Sequence, residues 1–144
     1  MSATLDLQLT PPLINAVRTE RRSILVVDDE PALCAVMGMI LRLHGYNVRR
    51  AHSVAQAFEC LEENKPDLIL ADVKMPETDG LTMIRQLRSE PEWSYIPTIV
   101  LSSSIHVEDL TAAYQAGADA FLAKPFTAQE LQDVIEPLLN GIYL

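Results

Sequence analysis

Ile24-Leu25-Val26-Val27-Asp28-Asp29-Glu30-Pro31 is the stretch on which the fold turns. Four apolar residues end abruptly in two adjacent carboxylates, and Pro31 then stands where the first turn of a helix tolerates proline. An unbroken apolar run, as opposed to an alternating one, predicts a strand covered on both faces, which is the habit of parallel sheets. Three similar runs follow: Leu68-Ile69-Leu70-Ala71, Thr98-Ile99-Val100-Leu101 and Ala120-Phe121-Leu122-Ala123. Tyr46-Asn47-Val48-Arg49 alternates instead, and so predicts a weaker edge strand.

The segments between these runs carry helix punctuation. After Pro31, the apolar residues Leu33, Val36, Met37, Ile40 and Leu41 recur at helical spacing, and Gly45 can supply a left-handed stop. Ser53 with Gln56, and Thr127 with Glu130, have the spacing of capping boxes, so helices are expected to begin near Val54 and Ala128. Leu81 to Arg88 reads as a further helix ending before Pro91, and Val107 to Ala116 as one ending at Gly117. Strand then helix, repeated down the chain, requires right-handed crossovers and predicts a doubly wound α/β domain, a five-stranded parallel sheet with helices on both faces. In such folds ligands bind at the carboxyl ends of the strands.

Composition narrows the partners. The 144 residues fit one domain, and a hydrophobic content of 49% is enough for a real core. A formal net charge of -9 argues against direct nucleic-acid binding, which needs clustered Lys and Arg. No stretch is apolar for long enough to cross a bilayer and no secretory signal opens the chain, so the expected location is cytoplasmic. Cys34 and Cys60 lie far apart in apolar helical patterns and are expected to be buried thiols. His44, His52 and His106 follow no ligand spacing and are expected to be solvated. Residues 1–22 lie outside the strand–helix alternation and read as an N-terminal extension to a domain over 23–144. Within that extension Leu5, Leu7 and Leu9 alternate with polar residues, and Leu13-Ile14-Asn15-Ala16-Val17 could form one or two helical turns.

The chemistry is expected where the apolar runs end. The residues there are Asp28-Asp29, Asp72, Ser102 and Lys124. An Asp after a strand, taken singly, usually caps a turn, but in a parallel sheet all of these positions face one crevice. Carboxylates gathered there repel one another unless a cation intervenes. An all-oxygen set suits a hard divalent ion, magnesium above all, and no His or Cys is placed to recruit zinc. A carboxylate beside such an ion and a lysine can attack phosphorus, because the cations stabilise the transferring group.

Ile24-Leu25-Val26-Val27-Asp28-Asp29-Glu30, Pro66 through Pro76 with Asp72 inside it, Asp79-Gly80, Thr98-Ile99-Val100-Leu101-Ser102 and Lys124-Pro125-Phe126 together resemble bacterial two-component response-regulator receiver domains, the stand-alone chemotaxis-regulator-like kind included. The resemblance runs over about residues 23–140 and implies the sheet order 2-1-3-4-5. It implies that Asp72 accepts a phosphoryl group from a sensor histidine kinase or phosphotransfer protein. Asp29 would bind Mg2+ directly, Asp28 through water, and the Lys74 backbone carbonyl would complete the protein's ligands. Lys124 would pair with Asp72 and then with the phosphoryl group, aimed inward by a cis bond before Pro125. Ser102 and Phe121 would be the switch residues, changing the surface of the fourth helix, fifth strand and fifth helix for a downstream protein target or a homodimer. The resemblance also implies that Lys74 and Ser104 would influence phosphoryl lifetime by controlling water access, the alternative being that both are solvated loop residues. Such a domain is a phosphoacceptor and not an enzyme with a substrate of its own.

Two other readings compete. A magnesium-dependent aspartyl-phosphate phosphohydrolase would need a general acid beside Asp72, where Val73 and Lys74 stand, and a cap domain for which no insertion is long enough. A flavin-binding module would need a glycine- and hydroxyl-rich loop after the first strand, where Asp28-Asp29-Glu30 would repel phosphate. The last apolar segment is followed only by Asn140 to Leu144, so the expectation is either a stand-alone regulator or an excised receiver.

Overall fold

A computed structural model of the chain describes residues 21–74, 79–104 and 106–140. Expectations for residues 1–20, for the Met75-Pro76 part of the motif and for residues 141–144 lie outside the described residues. Five parallel strands form one sheet: β1 (Ser23–Val27), β2 (Asn47–Ala51), β3 (Leu68–Asp72), β4 (Thr98–Ser102) and β5 (Ala120–Ala123). Their order is β2-β1-β3-β4-β5, so the chain moves outward from β1 and then reverses past it to β3. Helices α1 (Pro31–Leu43), α2 (Val54–Glu63), α3 (Gly80–Ser89), α4 (Val107–Ala116) and α5 (Ala128–Leu139) alternate with the strands.

Strand alternation sorts the core into two layers. Ile24, Val26, Leu68, Leu70, Ile99 and Leu101 face α1 and α5. Leu25, Val27, Ile69 and Ala71 face the opposite side, where α2 and α3 pack, and Val100 joins α3 and α4 there. Every residue of β3 and β4 is buried, as the unbroken apolar runs predict. Each fully buried Leu, Ile or Val contributes roughly 1.5–3 kcal/mol from water exclusion.

The helix starts follow the local chemistry. Pro31 opens α1 with no side-chain cap, and Thr127 and Glu130 form a complete capping box on α5. Ser53 caps α2 by accepting from the Gln56 amide, but the Gln56 side chain accepts from the His52 amide, so the expected reciprocal box is only half formed. The run at Ala120–Ala123 was expected to be covered on both faces; it is half-buried throughout, because β5 is the outermost strand and has a neighbour on one side only. The weak run expected at residues 46–49 is indeed an edge strand, over Asn47–Ala51. Cys34 is buried, and its thiol pKa is pushed up to about 11 by burial and by the adjacent Asp28 charge; Cys60 is half-buried, less than expected.

One side chain ties two loops together. Arg88 donates from Nε to the Gly117 carbonyl, from Nη1 to those of Ser94 and Ile96, and from Nη2 to Asp119. Gly117 ends α4 at φ 113°, and a Cβ there would press on Arg88 Cγ at 2.7 Å. Gly117→Ala is therefore expected to destabilise the domain by about 1–2 kcal/mol through backbone strain and displacement of Arg88. A lowered denaturant midpoint with an unchanged slope is the readout, and an unchanged midpoint would count against the staple.

Candidate functional site

The register brings the strand ends level. Val27 pairs with Ala71, Asp72 with Leu101 and Ser102 with Ala123, so the residues after β1 and at the ends of β3, β4 and β5 share one crevice. Backbone bonds carry the ladders one step further: Asp28 N–H to Ala51, Val73 N–H to Leu101 and Lys124 N–H to Ser102. The first carboxylate pair thus projects from a rigid strand end at the point where strand order reverses.

Asp28, Asp29 and Asp72 each offer a carboxylate oxygen, and these lie within 4.8 Å of one another. Asp28 has no exposed surface, Asp72 is 8% exposed and Asp29 is half-buried. Lys124 Nζ reaches between two of them, 3.3 Å from Asp28 Oδ2 and 3.3 Å from Asp72 Oδ1, and the Lys124–Pro125 bond is cis. The other Asp28 oxygen accepts from the Glu30 amide, which turns the chain into α1. The Lys74 backbone amide donates to the Asp72 carboxylate, while its side chain is exposed.

Burial pushes the Asp72 carboxyl above its ordinary range; the Lys124 ammonium pulls it down and the Asp28 charge pushes it further up. Burial pulls Lys124 down, yet the carboxylates of Asp72 and Asp28 prevail, so it stays above its ordinary value. Three carboxylates against one ammonium leave the ionised cluster two negative charges in excess, the charge of one divalent cation. The donor set is all oxygen, which fits a hard ion such as magnesium.

Ser102 is 4% exposed and its Oγ accepts from the Ser104 amide, leaving the hydroxyl proton available. Ser104 Oγ in turn donates to Asp109 on α4. Phe121 is half-buried against the cluster of Ile84, Val100 and Ala113, opposite Val100 in the β4–β5 register. The strand ends therefore bring together Asp28, Asp29, Asp72 and Lys124, with Ser102 one strand over and Phe121 on the α4 side.

Two residues near the cluster carry more than their sequence suggested. His52, expected to be solvated, is half-buried with Nδ1 3.2 Å from the Asp28 carbonyl, because β2 ends beside β1. Gly80 opens α3 against β3: its amide donates to the Val73 carbonyl, and an added Cβ would collide with the Asp72 carbonyl oxygen. Asp79 caps that helix through the Thr82 amide, and an Asp-Gly pair before an amphipathic run is the signal that could have located it. His44 and His106 are exposed as expected.

Comparison with known proteins agrees with this geometry. Residues 24–136 match the family described as the response regulator receiver domain. Response regulator MprA of Mycobacterium ulcerans (strain Agy99) is 40% identical over 117 residues, 81% of this chain and 50% of that protein. The chain spans about half the length of MprA and of the regulators TcrX and PrrA, and 15% of the gliding motility regulatory protein of Myxococcus xanthus. The crystal structure of the signal receiver domain of a signal transduction histidine kinase from Syntrophus aciditrophicus superposes with a TM-score of 0.78 at 33% identity, covering 84% of this chain and 92% of that one. The receiver domain of sensor histidine kinase PA1611 from Pseudomonas aeruginosa PAO1, described with a magnesium ion coordinated in its active site cleft, gives 0.77 at 32% identity, covering 83% and 98%.

Proposed function

This chain belongs to the response regulator receiver domain family of two-component signalling, and from that premise we propose that it is a magnesium-dependent switch whose phosphoacceptor is Asp72. The observation that carries the reading is the convergence of three carboxylates on one lysine at the strand-order reversal. Asp28, Asp29, Asp72 and the Lys74 carbonyl are the residues that would hold magnesium. When bound, the ion supplies positive charge that lets an anionic carboxylate approach an anionic phosphoryl group.

The chain's own groups do the rest. An Asp72 oxygen forms the new P–O bond as the bond from phosphorus to the donor breaks, and the donor leaves with that electron pair. Lys124 already bridges to Asp72 and is placed to neutralise the transferred oxygens. Ser102 can turn its free hydroxyl proton toward the phosphoryl group, vacating space for the Phe121 ring. The output would then appear on α4, β5 and α5, where Val107 (75%) and Tyr114 (49%) already expose apolar surface on α4. Lys74 and Ser104 flank the crevice where they would control water access.

On this reading residues 23–144 are the receiver and 1–22 an extension. The donor is a histidine kinase or phosphotransfer protein, and the target is a protein engaged in the cytoplasm by docking, with no substrate turnover of its own. Stand-alone action in the manner of a chemotaxis regulator is part of the proposal, as is dimerisation through the output face. Among the described residues no carboxylic acid follows Asp72 at Val73 or Lys74, so nothing favours the phosphohydrolase alternative.

Magnesium binding is testable without any partner. Ligand at a hundredfold its dissociation constant stabilises the native state by about 2.7 kcal/mol, which for a domain of this size raises the thermal midpoint by roughly 10 °C. Wild type is expected to show that rise and Asp29→Asn to lose most of it. A magnesium response that survives Asp29→Asn unchanged would remove Asp29 from the ligand set.

A further inference from the structure

Acidic residues gather where helix chemistry disfavours them. A helix ends in partial negative charge, so its last turn suits Lys or Arg. The last turn of α2 has no basic residue and carries Glu62 instead, and α3 runs into Glu90 and, past Pro91, Glu92. Arg88, in the last turn of α3, is committed to Gly117, Ser94, Ile96 and Asp119. Glu62, Glu90 and Glu92 are exposed, and none has an ion-pair partner among the described residues.

These three carboxylates line a groove of about 610 Å³ between α2 and α3, together with the aromatic pair Phe58 and Trp93, whose ring centroids are 5.5 Å apart. Among the described residues no Lys or Arg lines it. The loop carrying Glu92 and Trp93 leads into β4, so the groove lies toward the strand starts and away from Asp72. Trp93 is 9% exposed, and its indole N–H has no acceptor among the described residues. A buried indole N–H ordinarily has one.

We propose that this groove takes an arginine-containing segment of a partner protein. Guanidinium groups supply the positive charge that the carboxylates and the two helix ends call for, and a guanidinium can also stack on an aromatic face. The segment's backbone supplies a carbonyl to accept from the Trp93 indole, which a polyamine or a metal ion cannot do. A second copy of this chain is a poor occupant, because each copy carries a net charge of -9. This proposal goes beyond the phosphorylation switch and uses none of its residues.

Trp93 is the single tryptophan, so its fluorescence in the full chain reports on the groove. Titration with a capped tetra-arginine peptide at low salt is expected to give a saturable change in emission, and a capped tetraserine peptide none, a readout that needs no variant. Glu62→Gln/Glu92→Gln, which changes two exposed residues, is expected to raise the half-saturating concentration by roughly tenfold. Asp133→Asn/Glu136→Gln, which removes the same charge from the exposed side of α5, should leave it within about twofold of wild type. Spermine, which matches the peptide's charge but has no carbonyl, should need roughly tenfold more to saturate. Unchanged emission with the arginine peptide, equal weakening in the two variants, or saturation by spermine at the peptide's concentration overturns the proposal.

Discussion

Asp72→Asn is expected to abolish phosphorylation while leaving the fold intact. Incubated with magnesium and a small acyl phosphate, wild type should gain one phosphoryl increment by intact-mass measurement. The variant should lose the reaction by at least roughly a thousandfold, because the amide cannot supply the attacking oxygen. Asn keeps the shape and can still accept the Lys74 amide bond, so any loss reports chemistry. Stability moves the other way. Burial, opposed by Lys124 and reinforced by Asp28, leaves the folded Asp72 pKa above its unfolded value. A raised carboxyl contributes stability that is fully present below the unfolded pKa and lost as pH rises through the folded pKa. At neutral pH without magnesium the Asp72 charge is therefore a net liability, and the Asn variant should be at least as stable as wild type. An adduct that persists in Asp72→Asn would end the phosphoacceptor assignment, as would failure of wild type to form one.

Lys124→Met removes the ammonium that, among the described residues, bridges Asp28 and Asp72. Breaking a buried ion pair from one side commonly costs about 3–5 kcal/mol. The lysine is 19% exposed and the crevice admits water beside Asp29, so about 1–3 kcal/mol is expected here in the absence of metal. The Lys124 pKa lies above its unfolded value, since Asp72 and Asp28 outweigh burial. Its contribution is then fully present below the unfolded pKa and is lost only as pH rises through the folded one, so the deficit should be constant across neutral pH. Magnesium should restore much of it by supplying the missing counter-charge. Phosphorylation should fall by about a hundred- to a thousandfold, the usual loss when one stabilising donor leaves a charge-developing site. Denaturant midpoints with magnesium and with a chelator provide the check, and a variant as stable as wild type in chelator would show that the lysine does not hold the two carboxylates.

Much of this molecule was legible residue by residue. Unbroken runs such as Ile24–Val27 and Leu68–Ala71 specify buried strands, because a residue facing a helix layer on either side must be apolar. Pro31 and the Thr127–Glu130 pair locate helix starts, because their chemistry is local. The candidate residues Asp28, Asp29, Asp72, Ser102 and Lys124 could be picked out because each ends a strand, and parallel strands must end together. Where the expectations missed, the deciding partner lay elsewhere in the chain. His52 was expected in solvent, and only the β1–β2 register puts it against Asp28. The run at Ala120–Ala123 is as apolar as the central strands, and only its outermost place leaves it half-buried.

The alternation of strands and helices and the kind of chemistry at the strand ends are legible along the chain, since both depend on neighbours a few residues apart. Other features exist only once the chain is folded: three carboxylate oxygens meet within 4.8 Å, Lys124 crosses ninety-six residues to bridge Asp28, and Gly80 must lack a side chain to pass the Asp72 carbonyl. Those facts follow from register and strand order, which are set by how four apolar strands, one polar edge strand and five helices share two core layers. No single segment of the chain contains that information.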